Sequence, residues 1–379
     1  MKHFSIIFVS IFLTIYTLAN YYLFTKGYRI LPDKANYRYI YTIVFIFFAA
    51  QFILSRILLL INVPFLSNIV FTLAGIWLAV MLYFFLIALC VDLVRFANYF
   101  FHFLPDLTPY KFNIFLVLVG CVSCLLLIGN INAKSPKIKT LDLSIVKKST
   151  LSNLKIAMVS DIHFGTTVNA KDIQKMMNKI KDENPDILLV AGDFTDEGIT
   201  DEKLNEIIPL FHQFEPKYGK IAILGNHEYI NNVEKSKEIY HQLGFTLLVD
   251  SILSVPNAFS VVGRDDKSSG LGSKLPRKPL AELLKETDFD LPVILLDHQP
   301  FQLAETACFP IDLQLSGHTH HGQLFPLNFI TSALFEKSWG YTKMKHTHFY
   351  ISSGFGTWGP PVRLGSSAEI VIVNLKFLN

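Results

Sequence analysis

Charge is scarce in this chain of 379 residues: Asp, Glu, Lys and Arg together make up 17%, against 51% apolar residues. A shortage that deep excludes a disordered, solvated protein, whose composition runs the other way. Basic residues barely exceed acidic ones, 34 against 31. With a net charge of +3 and no basic stripe interleaved with aromatics, no nucleic-acid partner is expected. Cysteine is nearly absent too. Cys90, Cys121 and Cys124 fall in apolar runs and Cys308 stands alone, so neither a disulfide framework nor a thiolate zinc site can be assembled.

What is present is uneven. Residues 1–131 hold long runs of Phe, Ile and Leu, whereas residues 152–379 have the mixed composition of a soluble domain. Four segments, 4–24, 39–60, 69–94 and 112–128, approach the roughly 20 apolar residues that a bilayer-spanning helix needs. The first is longer than the apolar core of a signal peptide and lacks a small-residue cleavage site, so a retained helix is expected. Four crossings would put the N-terminus and the soluble domain on one side. Lys26, Arg29, Lys34 and Arg38 in the first loop favour an extracytoplasmic domain, while Lys134, Lys137, Lys139, Lys147 and Lys148 after the fourth segment oppose it; the reading leans to the former. Arg56, Asp92 and Arg95 are the ionisable residues in or near these helices, and the last two are expected to reach the interface.

Residues 132–151 are polar, Lys-rich and contain Pro136, which reads as a linker with an edge strand around residues 141–146. Beyond it the pattern alternates: strand at 155–160, helix at 170–183, strand at 187–191, helix at 201–214, strand at 221–224. Further strands follow at 259–262, 293–296, 312–315, 349–352 and 369–375 without regular helices between them. An α/β domain built as a β-sandwich flanked by helices fits this order better than one parallel sheet.

Five of these strands are followed at once by residues that bind metals. They are Asp161-Ile162-His163, Gly192-Asp193-Phe194-Thr195-Asp196, Gly225-Asn226-His227-Glu228, Asp297-His298 and Gly317-His318-Thr319-His320. Any one of them alone is more often a solvated turn. Five in order, each at a strand exit where loops gather site residues, point to one centre.

These blocks resemble the calcineurin-like metallophosphoesterases, whose pattern is D-x-H, G-D-x-x-D, G-N-H-[ED], a lone His, then G-H-x-H. The resemblance covers residues 152–379 and implies a four-layered α/β/β/α sandwich, here preceded by a four-helix transmembrane region. A narrower likeness, to the membrane-associated phosphodiesterases of the YaeI and YkuE type, rests on Leu296-Asp297-His298-Gln299-Pro300, Gly322-Gln323 and the segment from Gly356 to Arg363.

The resemblance implies two divalent ions, one held by Asp161, His163, Asp193 and His320, the other by Asp193, Asn226, His298 and His318, with Asp193 bridging. Mixed oxygen and imidazole donors suit Mn, Fe or Zn. A metal-activated hydroxide would attack phosphorus, and His227, oriented by Asp196, would protonate the leaving oxygen. Arg363 is a candidate phosphate contact. His321 either narrows the substrate channel or faces solvent, and the basic loop 265–278 is either a lid or a solvated loop. Segment 331–341 presents an apolar edge to lipid or packs in the core. The expected substrate is a phosphodiester or phosphomonoester, and tethering favours a phospholipid or lipid-linked pyrophosphate in a bacterial inner or plasma membrane. The competing reading is a transporter or sensor bundle carrying a non-catalytic, regulatory metal-binding domain.

Overall fold

A computed structural model describes residues 2–61, 63–272 and 276–378. The chain divides into two units, residues 1–131 with 359–362, and residues 132–358 with 363–379. The first unit holds helices α1 (Lys2–Ile30), α2 (Ala35–Leu60), α3 (Pro64–Phe101) and α4 (Lys111–Ala133). Among the described residues three of them, where four were expected, contain a stretch long and apolar enough to cross a membrane: Ala35–Leu58, Leu66–Phe101 and Thr108–Ala133. The first expected segment lies in α1, where the side chains of residues 2–8 fall outside those described. Asp92 accepts from Tyr22 Oη at 2.7 Å and pairs with Lys26 Nζ at 2.5 Å, so α1 and α3 share an ion pair.

The second unit opens with β1 (Lys137–Ile145), β2 (Asn153–Val159), α5 (Ala170–Asp182), β3 (Ile187–Ala191), α6 (Asp201–His212), β4 (Lys220–Ile223), α7 (Asn226–Asn231), α8 (Val233–Gln242) and β5 (Thr246–Leu248). It continues through β6 (Ser251–Val255), β7 (Phe259–Gly263), α9 (Ser269–Gly272), α10 (Leu280–Leu283), β8 (Val293–Leu296), α11 (Leu303–Thr306) and β9 (Leu313–Ser316). The last elements are α12 (Leu327–Leu334), β10 (Gly340–Met344), β11 (Thr347–Ile351) and β12 (Glu369–Phe377). Two six-stranded sheets form, in the orders β1-β12-β2-β3-β4-β5 and β10-β11-β9-β8-β7-β6. The edge strand expected around residues 141–146 is present as β1 but begins earlier, and it pairs in parallel with β12 from Lys137↔Glu369 to Ile145↔Phe377.

Period-2 alternation sorts each strand's side chains onto two faces, and this builds four layers. Ile156, Met158, Leu189 and Ile221 of one sheet meet Val261, Ile294, Leu296 and Leu313 of the other in the central core. Ala157, Leu188, Val190 and Ala222 face outward onto α5, α6 and α8. Behind the second sheet, Val262, Val293 and Leu295 pack on Leu280, Leu283 and Leu284. Helix α5 shows how sequence sets such a layer. Asn169 caps it by accepting from the Lys171 and Asp172 amides, a contribution of about 1 kcal/mol. Ile173, Met176, Met177 and Ile180, spaced for one face, are all buried, at about 1.5–3 kcal/mol each, so packing outweighs the cap.

Candidate metal centre

Strands β2, β3 and β4 run parallel, as do β8 and β9, and their C-terminal ends deliver the five blocks to one place. Backbone bonds lock the loops together: Asp161 N donates to Gly192 O, His163 N to Asp193 O, and Gly317 N to His298 O. Asp161, His163, Asp193, His318 and His320 all adopt left-handed backbone angles, φ between 46° and 72°. Each such turn costs on the order of 1–3 kcal/mol, and this clustering marks a functional site. Gly225 and Gly317 leave room for it, because a Cβ at either would collide with the Asp193 or Asp161 carboxylate.

The side chains converge in three overlapping groups whose donor atoms lie within 4.8 Å of one another: Asp161, His163 and His320; His163, Asp193 and His227; Asp193, His298 and His318. Asn226 Oδ1 joins the third, 2.7 Å from His318 Nδ1 and 3.2 Å from His298 Nε2. Nε2 atoms of His163 and His320 face each other at 3.0 Å. His298 Nδ1 donates to Ala191 O at 2.8 Å and its Nε2 faces Asp193 Oδ2 at 3.2 Å; burial opposes a charge on this ring, but Asp193 outweighs it and holds its pKa well above the usual range. Burial, with His298 alongside, pushes His318 down to about 4, and burial with His163 and Arg363 nearby holds His320 well below the usual range, so both rings are neutral as a ligand must be. Burial opposes the charge on Asp193, yet His298 and His227 outweigh it and keep the carboxylate ionised. Bare oxygens, neutral imidazoles and no thiolate make a donor set that fits divalent cations.

Beside the group stands His227. Its Nδ1 is 3.2 Å from Asp196 Oδ1, while the other oxygen of that carboxylate lies 3.5 Å from His163 Nδ1 without forming a hydrogen bond. Burial lowers the basicity of His227, but Asp193 and Asp196 outweigh it and raise its pKa to about 9.

Glu228 was legible only as a letter of its motif. It is fully buried, and its carboxylate accepts from the amides of Asp193, Thr195 and Gly225, clamping two ligand loops together. Asp297 likewise holds Arg264 Nη1 at 2.9 Å and Arg277 Nη1 at 3.0 Å, which ties both ends of the basic loop to the neighbour of His298. Residues 273–275 of that loop lie outside those described. His321 is half-buried, bonds Ser338 Oγ at 3.1 Å and leans on Trp339.

Arg363 requires correction. It is fully buried, and its guanidinium donates to the carbonyls of Gly354, Gly356 and Ser367 and to Ser366 Oγ, with Nη2 3.2 Å from His320 Nδ1. With its donors spent on backbone behind a candidate ligand, it cannot reach a phosphate. Arg363→Met should therefore destabilise the fold by about 3 kcal/mol or more, visible as a lowered thermal midpoint, because it strands buried carbonyls. KM for a soluble diester should stay unchanged. A raised KM at unaltered stability would restore the substrate-binding role.

A sandwich of this architecture with aspartates and histidines at its strand ends defines a metal-dependent phosphoesterase. The family model for calcineurin-like phosphoesterases matches residues 154–322. An uncharacterized metallophosphoesterase of Campylobacter jejuni is 29% identical over 98% of this chain and 98% of its own. One from Aquifex aeolicus is 34% identical over 59% of this chain and 86% of its own, and Bacillus subtilis YkuE is 29% identical over 59% and 80%. The chain belongs to the calcineurin-like metallophosphoesterases.

Proposed function

We propose that the domain, residues 152–379, is a binuclear hydrolase of phosphodiester or phosphomonoester bonds anchored by residues 1–131. Asp161, His163, Asp193 and His320 would hold one cation, and Asp193, Asn226, His298 and His318 the other. The observation that carries this reading is the position of Asp193, whose carboxylate belongs to two of the three donor groups and so can bridge. Mn, Fe or Zn suits the donors. Bound there, the pair supplies Lewis acidity, polarising the phosphate and making water nucleophilic at neutral pH. The protein's own part is proton control: His227, beside Asn226 in the chain and oriented through Nδ1 by Asp196, is placed to protonate a departing alkoxide. Anchoring supports a lipid phosphate, a phospholipid or lipid-linked pyrophosphate, as substrate. The bacterial relatives support an inner or plasma membrane.

Full-length protein in detergent, stripped of metal, should lose hydrolysis of bis(p-nitrophenyl) phosphate and p-nitrophenyl phosphate. Activity should return when Mn, Fe or Zn is restored, with two ions per chain by elemental analysis. Two bound ions without any hydrolysis would favour the regulatory module on a membrane bundle instead.

A further inference from the structure

The chain enters the catalytic domain with almost no slack. Helix α4 ends at Ala133 and β1 begins at Lys137. Residues 134–136 between them reach about 10 Å when extended. In the last turn of α4, Asn132 Nδ2 donates to Arg363 O at 3.0 Å and Ser366 O at 2.7 Å. The loop receiving these bonds also receives the segment after the metal-site histidines, since Phe325 N donates to Leu364 O at 2.6 Å. At the far end of that segment, Trp339 Nε1 donates to Glu369 Oε2 at 3.1 Å, and Glu369 is the sheet partner of Lys137. Lys139 Nζ lies over the Trp339 ring. Both ends of segment 325–339 are thus fastened beside the point where the chain arrives from a helix apolar enough to cross a bilayer.

Between these fastenings the segment turns apolar side chains outward. Helix α12 buries none of its eight residues. Phe329 is 64% exposed and Leu334 68%, with Ile330 beside them and Phe325 and Trp358 (53%) flanking. Gln323 holds Trp358 in place through both the amide and carbonyl of its backbone. Water is a poor neighbour for such a cluster, whereas a bilayer surface takes Phe, Ile and Leu into its acyl boundary and Trp and Lys at headgroup level. The helix also adjoins the centre, for Phe335 at its C-terminal end contacts both His318 and Phe301.

We propose that α12, with Phe325 and Trp358, docks into the lipid bilayer that the chain's own helices cross, forming an apolar lip that holds the metal centre at the level of the headgroups. This goes beyond the hydrolase reading and stands on separate observations: exposure, fastening and tether length. The test uses full-length protein with Cys90, Cys121, Cys124 and Cys308 replaced by alanine, reconstituted into vesicles of phosphatidylethanolamine and phosphatidylglycerol. A bimane label is placed at Phe329→Cys, at Leu334→Cys, or at the partly exposed Lys237→Cys of α8 as a control. Brominated acyl chains should quench the label at 329 and 334 and leave that at 237 bright. Equal quenching at all three positions, or none at 329 and 334, overturns the docking. Hydrolysis of bis(p-nitrophenyl) phosphate by the same samples is read in parallel. Quenching without hydrolysis would sink the enzyme reading and leave docking standing, and hydrolysis without quenching would do the reverse.

Discussion

Asp193→Asn is expected to lower phosphodiester hydrolysis by roughly a thousandfold or more, and to lower bound metal with it. The substitution keeps the shape that the Gly225 backbone presses against and the oxygen that accepts from His227 N at 2.8 Å. What it removes is the second charged oxygen. Oδ2 is 3.2 Å from His298 Nε2 and 3.9 Å from His163 Nε2, one histidine from each proposed half of the centre, so a neutral amide loses the bridge between the halves. A paired-ion centre contributes several kcal/mol of transition-state stabilisation, and about 4 kcal/mol converts to roughly a thousandfold. Elemental analysis beside initial rates checks it. Full activity with two ions still bound would show that Asp193 does not bridge.

His227→Gln separates proton supply from metal loading. His227 belongs to one donor group with His163 and Asp193, so a ligand role competes geometrically with that of an acid. Its Nδ1 is engaged by Asp196 and its ring is partly exposed, which suits a group that meets a leaving oxygen. The variant should therefore retain two ions while kcat falls by about 10²- to 10⁴-fold on a substrate with an alkoxide leaving group. For p-nitrophenolate, which departs without a proton, the fall should be much smaller. Loss of an ion, or an equal fall on both substrates, would make His227 a ligand and remove it as the acid.

Much of this site could be read before any coordinates because the family pattern puts ligands immediately after strands, and strands of buried Ile, Leu and Val betray themselves locally. Ile187–Ala191 and Val293–Leu296 were legible to the residue. Strands β5, β6 and β10 were missed because they are short and only partly buried, without a continuous apolar run. The strand in the linker reads shorter than it is for a related reason. β1 alternates Lys with Ile and Leu, and only pairing with a strand more than two hundred residues away makes it part of a sheet. Roles that depend on such distant meetings were also out of reach. Arg363 reads as a phosphate contact until its carbonyl partners are seen, and Glu228 reads as a motif letter until three amides converge on it. The apolar content of residues 1–131 gives its membrane character, and among the described residues three of its helices are long and apolar enough to cross.

The interposition of β12 between β1 and β2 has a consequence for synthesis. Asp142 and Asn374, hydrogen-bonded side chain to side chain across the β1–β12 ladder, are 232 residues apart. While the ribosome is still making the metal-binding loops, β1 is already held a few residues from a membrane helix and β2 lacks the neighbour that will cover its free edge. The first sheet cannot close until β12 emerges, so its completion is expected late in synthesis, as pairing over so long a stretch of chain slows folding.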